Sequence, residues 1–452
     1  MPFRTAGLQT RAGTPAPVLR VLAIALLALA AAAQAPPTPL GAAAWREDLK
    51  VFRSKFGASG IRIAGGIATK GQKDLDKLYP SFQSDVAALE EAAGGLSDQE
   101  MALRLMRLVA SGGVAHTTVN MPLNLGFYRR LPIRLVWFAD GLAITEAAAD
   151  YSSAIGARVI RIGSMTPEEA LKEITPYVSQ ENDVGLRVSA PEYLVRLAVL
   201  SHLKLIGPDG RVSFTLQRDS AGTLQKDSVE PFVVQIPLDD PRTPRIGLSE
   251  VLHVPTPLYL SNRSLYYWFR YLPDSQTFYI QYNQCANDPK LPFVNFVRTA
   301  MAELDSKAAD HKIQRVVIDL RLNGGGNSRV IAPLKSALQA RAKTIGKPYV
   351  LMGGFTFSSA LMAASDLREE AHAILVGSPP GENLNSYGEI DTFELPNSKL
   401  KVTFSTKYFQ LGKAGAPPGL NPDISAPPTL ADAIAGRDAA LEAAITARAV
   451  HP

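Results

Sequence analysis

The sequence predicts an α/β core inside a chain that is α+β overall, and three observations predict it. From Thr277 onward, short apolar strands alternate with helical stretches. Arg315-Val-Val-Ile-Asp-Leu-Arg is a near-continuous apolar run, as a strand covered on both faces requires. Upstream of these, a long helical region precedes a smaller stretch that reads as strands. The 452 residues are 46% hydrophobic and 20% charged, which excludes a disordered, collagenous or disulfide-scaffold protein.

The first element is a leader over residues 1–35. A basic n-region runs to Arg20, Val21 to Ala33 is apolar, and Ala33-Gln34-Ala35 is a small-x-small cleavage site. Thirteen apolar residues in a helix span only about 20 Å, short of a ~30 Å hydrocarbon core. The segment is expected to be a cleaved signal peptide, giving an exported, periplasmic or secreted protein with no integral membrane segment. The chain's formal charge of +5 includes Arg4, Arg11 and Arg20; without the leader, 44 basic residues face 42 acidic ones. Nucleic acid is therefore not an expected partner. One cysteine, Cys285, excludes an internal disulfide.

Residues 36–130 are expected to form an N-terminal helical region. Its clearest signal is Ser97-Asp98-Gln99-Glu100, a capping box before Met101, Leu105, Leu108 and Val109, with Gly112-Gly113 as the stop. Residues 131–235 read as a small mixed domain. Leu135–Phe138 and Leu142–Thr145 flank Asp140-Gly141, a hairpin signal, and Ala157–Ile162 is a further strand. Thr166-Pro167-Glu168-Glu169 opens a helix through Leu171 and Ile174. The proline-rich start of 236–276 suggests a linker or cover segment. The core, 277–428, predicts strands at 278–282, 315–321, 349–352 and 373–377, and helices at 293–304, 330–342 and 358–367. Residues 429–452 predict two short helices with Gly436 between them.

Three places carry candidate chemistry. Gly353-Gly354-Phe355-Thr356-Phe357-Ser358-Ser359 joins a buried strand to a helix start, where backbone N–H groups favour negative charge; Ser358 there is either a nucleophile or simply a helix cap. Asp319-Leu-Arg-Leu-Asn-Gly324-Gly325-Gly326 puts bare N–H groups after a strand, suited to an oxyanion. It lacks a following Gly-Lys-Ser/Thr, which disfavours a phosphate loop, and a plain tight turn is the alternative. His116, alone among six histidines in following a glycine break directly after a helix, supplies a group that titrates near neutrality. Taken alone, such a histidine is more often structural. The histidines have no His-x-x-x-His spacing, so neither metal ligands nor a cofactor are predicted.

Together these segments resemble the S41 serine peptidases, the tail-specific or C-terminal processing proteases, on the tricorn-like branch that uses histidine. The resemblance spans roughly 97–425. Val316-Val-Ile-Asp-Leu-Arg-Leu-Asn-Gly-Gly-Gly is similar to that family's strand-and-glycine signature, Thr356-Phe-Ser-Ser-Ala to its nucleophile turn, and Val376-Gly377 and Asn421-Pro-Asp-Ile to later landmarks. The resemblance implies a ClpP/crotonase-like core, Ser358 as nucleophile and His116 as base. Gly324 and Gly325 would then be the oxyanion donors. It also implies a PDZ-like module, for which 131–235 lies in the right place. Two departures stand out. Where the Ser–Lys branch has a lysine about 25 residues after the nucleophile, this chain reads Gly381-Glu382-Asn383. Where the tricorn-like branch has a glutamate before the Pro-Asp, Ala414-Gly-Ala-Pro-Pro carries no acid, and Leu361 replaces a glutamate after the nucleophile turn. Glu389 is then the first choice for the acid behind His116, with Asp423 and Glu382 next.

The function expected is an exported serine-type endopeptidase acting on peptides or unfolded proteins. The alternatives are a catalytically impaired S41-like peptide-binding protein and an exported esterase or amidase. The absence of Gly-x-Ser-x-Gly weighs against the last.

Overall fold

The computed structural model describes residues 39–60, 76–120, 129–218, 230–240, 242–310, 312–412 and 417–447; the leader predicted over 1–35 lies outside them. The described part from residue 39 onward belongs to one compact unit. No helix among the described residues is long and apolar enough to cross a membrane.

The N-terminal region is helical, as expected. Gly41–Gly60 buries Trp45, Leu49, Phe52 and Phe56, a 3- and 4-residue spacing that makes one apolar stripe. It packs on the helix Phe82–Ala92, which in turn contacts Asp98–Ala110. Ser97 and Glu100 form the capping box reciprocally. Gly113, at φ +63, turns the chain out of that helix, and strand β1 (Thr118–Asn120) follows.

The middle region is a sheet ordered β2-β3-β4-β5-β6, from Ile133–Phe138, Gly141–Ala147, Ala157–Ile162, Arg211–Arg218 and Phe232–Pro237. The expected hairpin closes with Phe138 opposite Gly141. The Thr166 capping box and Pro167 open the helix Pro167–Ile174. Helices Asp183–Tyr193 and Leu197–His202 complete this region.

The stretch expected as linker or cover is more structured than that. Ile246–Gly247 (β7) pairs with β3, and Tyr267–Leu272 (β8) is an edge strand of the core sheet, antiparallel to β9 (Thr277–Tyr282). Proline spacing masked an aromatic run that simply pairs with its neighbour.

The core sheet is ordered β15-β12-β11-β10-β9-β8, with β10 Arg315–Asp319, β11 Tyr349–Met352, β12 Ile374–Gly377 and β15 Ile424–Ser425. From β9 to β15 neighbouring strands are parallel. Side chains alternate across it. Phe278, Ile280, Val316, Ile318, Val350 and Met352 pack under the helices Phe293–Ala309, Ala332–Ala340 and Ser359–Ala371. Tyr279, Val317, Tyr349 and Leu351 meet Ala440, Leu441 and Ala444 of the C-terminal helix Ala439–Thr446. Coverage of both faces is why these strands read as continuous apolar runs. A long hairpin, β13 (Asn385–Glu394) and β14 (Lys401–Gln410), extends from the core and pairs with β1, with Thr118 opposite Thr403.

Arg321, at the end of β10, is structural. Its buried guanidinium pairs with Asp319 and with Asp438 at 2.6 Å, and Asp438 caps the C-terminal helix. Tyr279 donates to Asp319 at 2.7 Å, and the guanidinium lies 4.0 Å over the Tyr259 ring. Stranding one partner of such a buried network typically costs about 3–5 kcal/mol.

Candidate active site

Parallel α/β sheets gather function at the carboxyl ends of their strands, and here the loops after β10, β11 and β12 converge. The loop after β11 carries Ser358. Thr356 accepts from the Gly353 N–H at 3.0 Å and donates to the Leu320 carbonyl at 3.0 Å; the Phe357 N–H donates to the Asn323 carbonyl at 3.1 Å. These bonds stitch the serine turn onto the glycine turn after β10. Ser358 itself is held at φ 55, ψ −126, a region that a residue with a side chain occupies at a cost of about 1–3 kcal/mol. It precedes the helix Ser359–Ala371, yet its side chain makes no capping bond. The capping alternative therefore fails to account for it. The Ser358 hydroxyl has no hydrogen-bond partner among the described residues.

The glycine turn lies directly beneath. A Cβ on Gly325, at φ +103, would sit 2.7 Å from the Ser358 Cβ and 2.9 Å from the Phe357 carbonyl oxygen. The Gly325 N–H, expected to face an oxyanion, instead donates to Asn323 Oδ1 at 2.9 Å, and Asn323 donates to the Tyr282 carbonyl at 2.8 Å. The asparagine side chain claims that donor for the turn itself. The Gly324 N–H has no hydrogen-bond partner among the described residues.

His116 reaches the same place from the N-terminal region. Its neighbour Thr117 is fully buried, accepts from the Ser405 N–H at 3.1 Å, and its carbonyl accepts from Ser179 at 2.6 Å. The imidazole stacks on Phe357 at 4.4 Å between ring centres. Its Nδ1 lies 3.5 Å from Glu382 Oε1, and its side chain is 8% exposed. Burial pushes its pKa down to about 4, opposed by the Tyr387 carbonyl, so the ring is neutral at pH 7.

Glu382, after β12, joins the two. Its Oε2 accepts the Ser358 N–H, while Oε1 accepts from Ser386 at 2.8 Å and faces His116. Residues 242 positions apart thus meet two oxygens of one carboxylate. Burial raises Glu382 to about 7 against those two hydrogen bonds. Glu181 lies alongside, raised to about 8 by burial and then by repulsion from Glu382. It accepts from the Ala115 N–H at 3.3 Å and the Asn383 N–H at 3.1 Å, clasping the segments that carry His116 and Glu382.

The structure brings Ser358, His116, Gly324 and Gly325 together, and leaves Glu389 out. Glu389 is exposed, sits at φ 48 and pairs with Lys407 at 3.8 Å. On β13, Ser386 and Gly388 are buried while Glu389 falls on the opposite face of the alternation. Asp423 is occupied with Arg368 at 2.6 Å and the Leu375 N–H at 2.8 Å. The acid beside the imidazole is Glu382, ranked behind both. Its signal was its position, 24 residues after Ser358, where the Ser–Lys branch carries its lysine. Glu181 had no sequence signal; it precedes the Asn182 helix cap in an unremarkable acidic stretch.

No family profile matches the sequence, and no curated protein matches it. Among solved structures, mature CPAF complexed with lactacystin aligns at TM-score 0.58 and 12% identity, covering 87% of this chain and 96% of that one. Mature CPAF alone aligns at 0.57 and 12%, covering 87% and 94%. A putative S41 protease from Bacteroides fragilis aligns at 0.34 and 13%, covering 68% and 78%. At such identities the likeness is one of fold. The chain shares the fold of mature CPAF.

Proposed function

We propose that the chain is an exported serine-type endopeptidase, with Ser358 as nucleophile and His116 as general base. The observation that carries this reading is the shared carboxylate. Glu382 binds the Ser358 backbone and faces Nδ1 of His116, in the roles of turn anchor and imidazole orienter. With Nδ1 turned toward Glu382, Nε2 is left to take the Ser358 proton as Oγ attacks a peptide carbonyl. The imidazolium then passes that proton to the leaving amine, so the serine is acylated, and water later releases the acyl group by the same exchange. The Gly324 N–H is the oxyanion donor in this scheme. Phe355, 55% exposed beside Gly324, offers apolar surface to a substrate side chain.

A fluorophosphonate probe tests the nucleophile. It should label the native protein and not Ser358→Ala, and the same variant should lose peptide hydrolysis while retaining peptide binding, to which residues 131–235 contribute in this reading. Labelling that survives Ser358→Ala would remove Ser358 from its role. Binding without labelling or turnover in the native protein would leave a peptide-binding protein instead. Export rests on the leader; a mature N-terminus at Pro36 in the extracytoplasmic fraction is the expected result, and an intact Met1 there would contradict it.

A further inference from the structure

We propose that His116, Glu181 and Glu382 form a binding site for a divalent transition-metal ion of the zinc type, and that the ion silences the base it binds. One potential ligand atom from each of the three side chains lies within 4.8 Å of the others. Zinc holds nitrogen and carboxylate ligands at about 2.0–2.2 Å, which sets tetrahedral ligand atoms about 3.5 Å apart. His116 Nδ1 and Glu382 Oε1 already stand at 3.5 Å. Glu181 needs a shift of roughly 1 Å, within reach of a side chain that is not fully buried.

Acidic residues meeting in one place do not by themselves make a site. The independent observation is the imidazole. Neither ring nitrogen has a hydrogen bond of normal length, with Nδ1 3.5 Å from Glu382 Oε1 and the Tyr387 carbonyl the other polar group acting on the ring, although the side chain is more than nine-tenths buried. Buried polar atoms are nearly always paired, and an orphan calls for a missing ligand. Charge points the same way. Two carboxylates, Glu382 buried and Glu181 partly so, face each other, and among the described residues neither is paired with a lysine or arginine. A dication neutralises both. An imidazole with two carboxylates suits zinc better than magnesium or calcium, which prefer all-oxygen shells.

The surrounding hydrogen bonds fit as well. Ligating carboxylates in metal sites are themselves held by outer donors. Here Glu181 accepts from Ala115 and Asn383, and Glu382 from Ser358 and Ser386. The bound ion would occupy the lone pair at Nδ1 and fix the ring. It would also draw Glu382 away from its role as the partner of an imidazolium. The inhibitory consequence rests on the serine-peptidase reading above; binding itself does not.

Calorimetric titration of Zn²⁺ into the full chain, first stripped with chelator, tests the site. One ion per chain is expected for the native protein and for Ser358→Ala. His116→Ala and Glu181→Gln should each weaken binding by about 100-fold or more, since removing even an outer partner costs 10–100-fold. Circular dichroism verifies that each variant folds, and Glu181→Gln, which keeps side-chain size, covers the case where His116→Ala does not. Absence of binding to the native protein, or undiminished binding in both folded variants, would overturn the site. Hydrolysis that continues at saturating zinc would overturn its inhibitory role. A native protein that binds zinc yet never hydrolyses peptide counts against the peptidase reading and leaves the zinc site standing.

Discussion

Replacing Glu382 by glutamine is expected to lower kcat by about 10³–10⁴-fold, by analogy with removing the charge behind a catalytic histidine. Glutamine keeps the size of the side chain and still accepts the Ser358 N–H, so the turn survives. What disappears is the negative charge 3.5 Å from His116 Nδ1. The imidazolium formed when Ser358 gives up its proton then stands in a buried place without a counter-charge. The pH profile carries a second signature. His116 is held neutral down to about pH 4, so it is base-competent across the physiological range. Glu382, raised to about 7, changes charge there, ahead of Glu181, raised to about 8. A raised carboxyl pKa means the proton stays on at lower pH, so the useful anion accumulates as pH rises. Activity of the native protein should therefore climb between about pH 6 and pH 8. In Glu382→Gln the part of that limb set by Glu382 should be lost, leaving at most the later step of Glu181. Measuring kcat against pH for both proteins decides it. A variant within tenfold of native activity that keeps the rising limb would show that another group orients His116.

The sequence made the core legible because its strands are buried on both faces. Residues 316–318 and 349–352 had to be apolar throughout, and that pattern survives without any partner being known. The Ser97 and Thr166 capping boxes were legible for a similar reason, since all of their bonds lie within four residues. Ser358, His116 and the glycine turn could be picked out because each sits at a break between elements. The missing pieces depended on pairing over long distances. β8 and the β13–β14 hairpin have weak patterns of their own and acquire their register from neighbours. The sequence favours Glu389 over Glu382 because the strand that carries Glu389 has too weak a pattern to show which way its residues face. Once Ser386 and Gly388 are known to face inward, the alternation excludes Glu389. Glu181 enters the site through backbone N–H groups of Ala115 and Asn383, which no spacing rule reveals.

Gly325→Ala is expected to reduce kcat/KM by about 10²-fold or more while the protein still folds, because displacing a reacting group by an ångström costs about that much. The new methyl group would lie 2.7 Å from the Ser358 Cβ, 2.9 Å from the Phe357 carbonyl oxygen and 3.0 Å from the Ser359 nitrogen. Two of these three atoms are backbone, so no flexible side-chain end can move aside. The turn cannot easily retreat either. Its N–H is bonded to Asn323, and its carbonyl accepts from Cys285 at 3.1 Å. At φ +103 alanine is also strained, at a cost of about 1–3 kcal/mol, which a core of this size should absorb. The displacement therefore falls on Ser358. Gly324→Ala is the control. Its methyl group would meet only the Phe355 ring, at 3.5 and 3.7 Å, an ordinary contact, and the Gly324 N–H remains in place. That variant should stay within about tenfold of native activity, well short of the loss that a one-ångström shift brings. Steady-state kinetics and the rate of fluorophosphonate labelling, with thermal melts to verify folding, separate the two. Equal losses in both variants would mean that the turn tolerates no side chain anywhere, and the argument from the Ser358 contact would fail. Native rates in Gly325→Ala would mean that the serine does not depend on the floor beneath it.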